Sequence, residues 1–280
     1  MEITLKAPAK VNLSLLVLGR RPDGYHELMT LMQPLSLADE LCLSDQASGL
    51  EFSCDDSALR ENNLVTRAAS AYFQVLGRQP RARLHLTKRV PVAAGLGGGS
   101  SDAAAALVGL NLMHGRALAP EQLLGLARGL GADVAFFLGG VTALCSGVGD
   151  RVQPWPDFPL LHYVLVNPGV AVSTAWVYGQ FDLAWTNRRG RNRISRPNKR
   201  SLPTGEILVN DLELVTLEAH PELARIKRVL LEEGAWGALM SGSGPTVFGV
   251  FAEAEAAGRA ARSLEARGGW WVRACRGIGA

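Results

Sequence analysis

Apolar residues recur along the chain at two periods, and each period marks a kind of element. Leu13, Leu15 and Val17 alternate with other residues, which predicts a strand over residues 11–18 with those three on one face. Lys10 and Asn12, two apart on the same run, also share a face. Residues 2–6 and 83–88 alternate in the same way, the second run ending just before Pro91. Leu64, Ala68 and Ala71 stand at helical spacing and predict a helix over 63–76. Further helices are predicted over 102–113 and 120–130. Gly131 follows the second of these, where a left-handed C-cap is wanted. A strand is predicted over 141–145.

Prolines 154, 156 and 159 then punctuate the chain rather than build an element. A second set begins with a strand over 161–166 and continues with helices over 221–233 and 252–266. Strands over 246–251 and 270–274 complete it. This order predicts an α+β chain of two domains, residues 1–155 and 156–280, with the last strand the one element that could return to the first domain.

Composition narrows the class. A chain of 280 residues that is 48% hydrophobic has ample material for a core. Its net charge of +3 is too slight to indicate a nucleic-acid partner. Neither an apolar run of membrane-spanning length nor a basic-then-apolar leader is visible. The expected setting is therefore the cytoplasm, without a membrane partner. Cys42, Cys54, Cys145 and Cys275 lack metal-like spacing and read as reduced, packed thiols. The five histidines show no ligand spacing either. Residues 188–200 hold seven basic residues in thirteen. They read as a solvated loop, with a fringe that attracts an anionic substrate as the sharper alternative.

The chemistry starts at Pro91-Val92-Ala93-Ala94-Gly95-Leu96-Gly97-Gly98-Gly99-Ser100-Ser101-Asp102. Four glycines in five residues let backbone N–H groups face inward without Cβ obstruction. The loop feeds an alanine-rich helix whose first N–H groups have no partner, which makes an anion site. A Walker loop needs a lysine that is absent here. The dinucleotide register is broken by Ser100. A plain turn capped by serine seldom needs four glycines. Asp102 reads equally well as a Mg²⁺ ligand or as a charge favouring the helix N-terminus.

This loop resembles the phosphate loop of the GHMP kinases, the superfamily of galactokinase, homoserine kinase and mevalonate kinase. Ala7-Pro8-Ala9-Lys10-Val11-Asn12-Leu13 near the start and Ser241-Gly242-Ser243-Gly244-Pro245-Thr246-Val247-Phe248 near the end resemble two further segments of that family, in the right order. Arg20 to Leu28, Asn62-Asn63-Leu64-Val65, Leu130 to Phe137, Gly147-Val148-Gly149-Asp150 and Asn210-Asp211-Leu212-Glu213 resemble one branch. The acceptor of that branch carries a cytidine diphosphate group.

The resemblance implies a two-domain GHMP kinase fold. Its N-terminal domain is like the second domain of ribosomal protein S5, and its C-terminal domain is ferredoxin-like. It implies an ATP-dependent kinase using Mg²⁺, with a small-molecule acceptor and a monomer or weak homodimer as the assembly. Lys10 and Asp133 would sit together at the transferred hydroxyl, Asp133 taking the proton and Lys10 stabilising the charge. A structural salt bridge is the alternative. Pro91 to Ser101 would hold the nucleotide, with Ser101 a candidate Mg²⁺ ligand. Asn63 and Asn111 would either reach the adenine or serve as a helix N-cap and a helix-end residue. Tyr25, His26 and Tyr178 would form the base pocket, with Thr174 facing it. Asn12 would orient a catalytic partner or the acceptor, and Gly242 and Ser243 would close over the transfer site. A kinase of the mevalonate or homoserine type, or a silent nucleotide-binding module, are the rival readings.

Overall fold

The computed structural model describes residues 1–59, 63–181 and 207–279. Asn62 and the basic stretch 188–200 lie outside the described residues. The chain separates into two compact units, each built from several segments. The first comprises Met1–Ala9, Leu37–Val92 and Gly97–Gly140; the second comprises Lys10–Ser36, Ala93–Leu96 and Val141–Ala280. Strands β1 (Glu2–Arg20) and β2 (His26–Ser44) are long enough to contribute to both.

In the first unit, β4 (Ala82–Thr87) pairs in parallel with β3 (Leu50–Cys54) and antiparallel with the Glu40–Ser44 end of β2. Helices α1 (Leu64–Leu76), α2 (Gly98–Met113), α3 (Pro120–Leu130) and α4 (Ala132–Gly139) belong to the same unit. Helix α1 forms where the apolar spacing predicts it. It is capped by Asn63, whose side chain accepts from the Val65 N–H, and closed by Gly77 at φ 63°. Helix α2 begins four residues earlier than the pattern predicts, at Gly98, so Ser100 and Ser101 are helical. The first glycines are poor helix formers, but a side chain on Gly98 would crowd its neighbours. A Cβ on Gly98 would lie 3.3 Å from Lys88 Nζ and 3.4 Å from Asp39 Oδ2.

Gly131 differs from the expected left-handed cap. Its φ of 167° is extended, because α4 starts at the next residue and the chain must turn between two helices rather than leave one.

In the second unit, β1 and β2 meet through the turn at Arg21–Tyr25, where the Arg21 N–H donates to the Tyr25 carbonyl at 2.7 Å. β1 pairs in parallel with β8 (Val209–Asn210) at Ser14 and Leu15. β2 pairs antiparallel with β5 (Ala143–Gly147), which pairs with β6 (Arg151–Pro154). A separate antiparallel sheet runs β11 (Trp271–Arg276), β7 (His162–Asn167), β10 (Val247–Phe251), β9 (Gly237–Met240). Helices α5 (Thr174–Gln180), α6 (Glu213–Ala219), α7 (Pro221–Glu232) and α8 (Ala254–Arg267) complete the unit. Val164, Val166, Leu223, Ile226, Leu230, Val247, Ala260 and Leu264 share one buried cluster with β1 residues Leu15 and Val17. Burying apolar side chains of this size stabilises by roughly 1.5–3 kcal/mol each.

Candidate active site

From Ala9 to Val17 every residue of β1 is buried, so the strand has no solvated face. Leu13, Leu15 and Val17 fill one side. The other side carries Lys10, Asn12 and Ser14; burial presses such groups to find partners, which Lys10 and Asn12 do while the Ser14 hydroxyl stays unbonded. Lys10 Nζ donates to Asn12 Oδ1 at 2.6 Å, and Asn12 Nδ2 donates to Thr30 Oγ1 at 2.8 Å. Thr30 Oγ1 in turn donates to the Ser14 carbonyl at 2.6 Å. The relay fixes the Asn12 amide with its oxygen toward the ammonium. Thr30 was not visible as a site residue in the sequence. The signal available was the run of polar side chains at positions 10, 12 and 14 in an otherwise apolar strand.

The middle of the glycine loop reaches the same strand within the second unit. The Lys10 N–H donates to the Leu96 carbonyl at 2.9 Å. Ser241 Oγ accepts from the Asn12 N–H at 3.3 Å and donates to the Gly95 carbonyl at 2.9 Å. The Thr246 N–H donates to the Ala94 carbonyl at 3.3 Å. Gly95 has φ 75°, and a Cβ there would strike the Ser241 carbonyl. This position therefore requires glycine for both backbone conformation and close approach. Thr174 Oγ1 and Ser243 Oγ lie 2.8 Å apart, and a Cβ on Gly242 would lie 3.5 Å from Asn12 Oδ1, so these predicted residues stand close to the same turn.

At the hairpin turn, Tyr25 is 66% exposed. His26 lies against Tyr178 of α5, ring centroids 5.2 Å apart, and edge-on to Phe181 at 6.4 Å. Burial, and then the charge of Arg20, lower the His26 pKa below its usual value, which keeps the ring neutral.

In the first unit the loop ends on α2, whose N-cap is Gly97 at φ 72°. The Ser101 N–H is already satisfied by the Gly97 carbonyl at 2.9 Å. The earlier N–H groups of Gly98, Gly99 and Ser100 are those an α-helix leaves without an intrahelical partner. Ser101 Oγ and Asp102 Oδ1 are buried without a hydrogen bond.

Asp102 is neither in the first turn nor exposed. It accepts from Lys88 Nζ at 2.8 Å, and Lys88 Nζ also donates to Asp39 Oδ2 at 2.5 Å. Burial, reinforced by the Asp39 charge and opposed by Lys88, pushes the Asp102 carboxyl up to about 7. For Lys88, burial alone would lower the pKa, but the attraction of the two carboxylates outweighs it and the net shift is upward. Asp39 Oδ1 accepts from the Arg89 and Val90 N–H groups. Sequence reasoning had no signal for this cluster, because its members lie far apart along the chain.

Asp133 stands in the first turn of α4, after Gly131. Asn63 occupies the N-cap position of α1, one of its two predicted readings. Asn111 accepts from the Leu118 N–H at 2.9 Å and donates to the Leu118 carbonyl at 3.0 Å, so its amide closes the turn after α2. Among the described residues no group of three or more His, Cys, Asp or Glu could hold a metal ion. No helix among them is long and apolar enough to cross a membrane.

Known proteins resemble this chain over nearly its whole length. The family profile described as GHMP kinases N terminal domain matches residues 63–140, and that described as GHMP kinases C terminal matches residues 198–269. The chain is 46% identical over 280 residues to the 4-diphosphocytidyl-2-C-methyl-D-erythritol kinase of Geobacter metallireducens, covering 99% of each chain. It is 48% identical over 267 residues to the protein of that name from Syntrophotalea carbinolica, covering 94% of this chain and 95% of the other. A crystal structure of 4-(cytidine 5'-diphospho)-2C-methyl-D-erythritol kinase superposes with a TM-score of 0.80 at 40% identity, over 99% of this chain and all of that one. Homoserine kinase from Cytophaga hutchinsonii shares the fold, with a TM-score of 0.70 at 22% identity over 99% of this chain and 95% of its own.

Proposed function

We propose, from the premise that this chain belongs to the GHMP kinase family, that it transfers the γ-phosphoryl group of ATP to the 2-hydroxyl of 4-diphosphocytidyl-2-C-methyl-D-erythritol. The product is the 2-phosphate, formed in the non-mevalonate isoprenoid pathway. The observation that carries the reading is full-length identity of 46% to a kinase of that name. The His26–Tyr178 ring pair supports the choice of acceptor, because mevalonate and homoserine have no base to stack on rings.

Phosphoryl transfer asks for positioning and charge neutralisation more than for covalent chemistry. In this reading the N-terminal turn of α2 and the glycine loop bind the phosphates. Asp133 takes the proton from the acceptor hydroxyl as the new P–O bond forms. Lys10, its ammonium aimed by Asn12, stabilises charge on the attacking oxygen. The bond from the γ-phosphorus to the bridging oxygen breaks, and ADP leaves with the electron pair.

Mg²⁺ fits the site as a companion of the nucleotide. Ser101 Oγ is a buried, unbonded hydroxyl of the hard-oxygen type the ion prefers. With no cluster of protein ligands among the described residues, the phosphates would supply most of its coordination. When bound, the ion neutralises phosphate charge. The cytoplasm is the proposed compartment.

A coupled assay of ADP release tests the function with this acceptor, mevalonate and homoserine side by side. Turnover is expected with the cytidyl acceptor. Turnover of mevalonate or homoserine alone would overturn the assignment. The Asp133→Ala variant should bind ATP normally and turn over none of the acceptors. Near-normal turnover by that variant would remove Asp133 from the chemistry.

A further inference from the structure

The turn that follows β9 shows an uneven distribution of hydrogen bonds. The carbonyls of residues 240–243 are all engaged. Met240 O and Gly242 O accept from the two Asn210 Nδ2 hydrogens at 2.8 and 2.7 Å. Ser241 O accepts from the Gly244 N–H at 2.9 Å, and Ser243 O accepts from Thr216 Oγ1 at 3.3 Å. The N–H groups of Gly242 and Ser243, by contrast, make no hydrogen bond among the described residues. Carbonyl oxygens near an anion repel it, whereas free N–H groups attract it. A turn with its carbonyls tied back and two successive N–H groups open is polarised as a donor.

Asn210 holds two of the four carbonyls. It is 2% exposed, and its Oδ1 accepts from the Leu212 N–H at 3.0 Å, so its amide orientation is determined. Its neighbours anchor it to the strand that carries Lys10 and Asn12. The Asp211 N–H donates to the Leu15 carbonyl, and Asp211 Oδ2 accepts from the Val17 N–H, both at 2.9 Å. Glu213 Oε1 accepts from the Met240 N–H at 2.9 Å and is itself held by Lys227 Nζ at 2.8 Å. The segment Asn210-Asp211-Leu212-Glu213 therefore grips β1 on one side and the 240–243 turn on the other.

We propose that Asn210 is a positioning residue for phosphoryl transfer: by holding the Gly242 carbonyl it fixes the peptide plane that carries the Ser243 N–H, and by holding the Met240 carbonyl it fixes the start of the turn, so that with the Ser241 carbonyl tied to Gly244 the Gly242 and Ser243 N–H groups stand as a preorganised donor pair for the transferring phosphate. The proposal rests on the kinase reading above and names a residue that acts through the turn rather than on the substrate. Donors set in place before reaction stabilise developing charge most, so their loss shows chiefly in kcat.

Asn210→Asp tests it with little change of volume. The variant keeps the oxygen that accepts from Leu212 but turns an acceptor toward two carbonyls. Expected is a fall in kcat on the order of tenfold or more, with the KM for ATP held within about twofold. Amide exchange should quicken at Ser241 and Gly244, whose N–H groups are hydrogen-bonded within the turn, and stay unchanged in β7 and β10. If Asn210→Asp does not fold, Asn210→Ser removes the same two donors without a charge and is read in the same way. Unchanged kcat with unchanged exchange in the turn overturns the proposal. So does a uniform rise in exchange through the second unit with kcat per folded molecule intact, which marks a scaffold residue only. Should the wild-type protein prove inert toward the cytidyl acceptor, the functional reading fails separately, and selective loosening of the turn still decides the role of Asn210.

Discussion

The His26 imidazole and the Tyr178 phenol ring stack on one another, centroids 5.2 Å apart and planes 28° from parallel. They come from the turn after β1 and from α5, and each ring presents a flat face to the other. In the proposed pocket Tyr178 would stack on the cytosine and His26 would hydrogen-bond its edge, so acceptor binding would part the pair. Base–aromatic stacking contributes about 1–3 kcal/mol. Tyr178→Ala should therefore raise the acceptor KM by roughly 5- to 150-fold while kcat changes much less. Tyr178→Phe keeps the face and should behave like wild type. Steady-state kinetics with varied acceptor checks both, and an unchanged KM in the alanine variant would take Tyr178 out of the pocket.

The neutral state of His26 has a pH signature. Burial and Arg20 lower its pKa in the folded protein, so the unfolded chain takes up the proton first as pH falls. The stability that the neutral ring contributes is complete above the ordinary histidine value and is lost as pH falls through the lowered folded value. Acceptor affinity should follow the same direction, weakening on acidification because a protonated ring can no longer accept from a base edge. A KM-versus-pH series on the wild type and His26→Asn provides the measurement. The acid-side rise in KM should be absent from the variant.

Gly95 combines two constraints that can be separated. Its φ of 75° disfavours any side chain, and a Cβ would also collide with the Ser241 carbonyl. Gly77, which closes α1, has a similar φ of 63° in the left-handed region but open space around it. Gly77→Ala should cost only the left-handed strain, roughly 1–2 kcal/mol. Gly95→Ala should cost more and should also lower kcat, because the loop must move away from the 241–244 turn. Thermal melts and kinetics of the two variants, compared directly, test this. Equal losses in both would show that the close approach carries no weight.

Lys88 is shared by two buried carboxyl groups, Asp39 and Asp102, whose side chains are 0% and 3% exposed. Its single charge does not balance both, and burial together with the Asp39 charge pushes Asp102 up to about 7. Replacing one member of such a group leaves the others uncompensated, at a cost of about 3–5 kcal/mol. Lys88→Met should show a destabilisation of that size in denaturant melts. Adding Asp102→Asn removes one stranded charge and should recover at least about 1 kcal/mol, a coupling measurable by a double-mutant cycle. A simple sum of the two single effects would mean that the residues do not share one network.

Much of the local structure of this protein is contained in its sequence. Helices α1, α3 and α7 begin and end where the apolar spacing and the prolines or glycines place them, because an amphipathic stripe and its stop signals are local properties. The glycine run announces a phosphate loop, and the three family segments around Lys10, Gly97 and Ser243 announce a GHMP kinase. Other features depended on what lies across the fold. β2 extends over His26–Ser44 without clear alternation because much of it is buried on both faces, which erases the period-two signal. Helix α2 starts inside the glycine run because Lys88 and Asp39 pack where side chains would be. Lys10 receives its orientation from Asn12 and Thr30, and two carbonyls of the 240–243 turn are held by Asn210, through hydrogen bonds to residues up to 32 positions apart. Residue type and spacing determine which chemistry the chain carries. The direction in which most buried polar groups point is decided by the partner the fold supplies across the chain, and of the groups left without one, Ser101 Oγ and Asp102 Oδ1 lie beside the glycine loop.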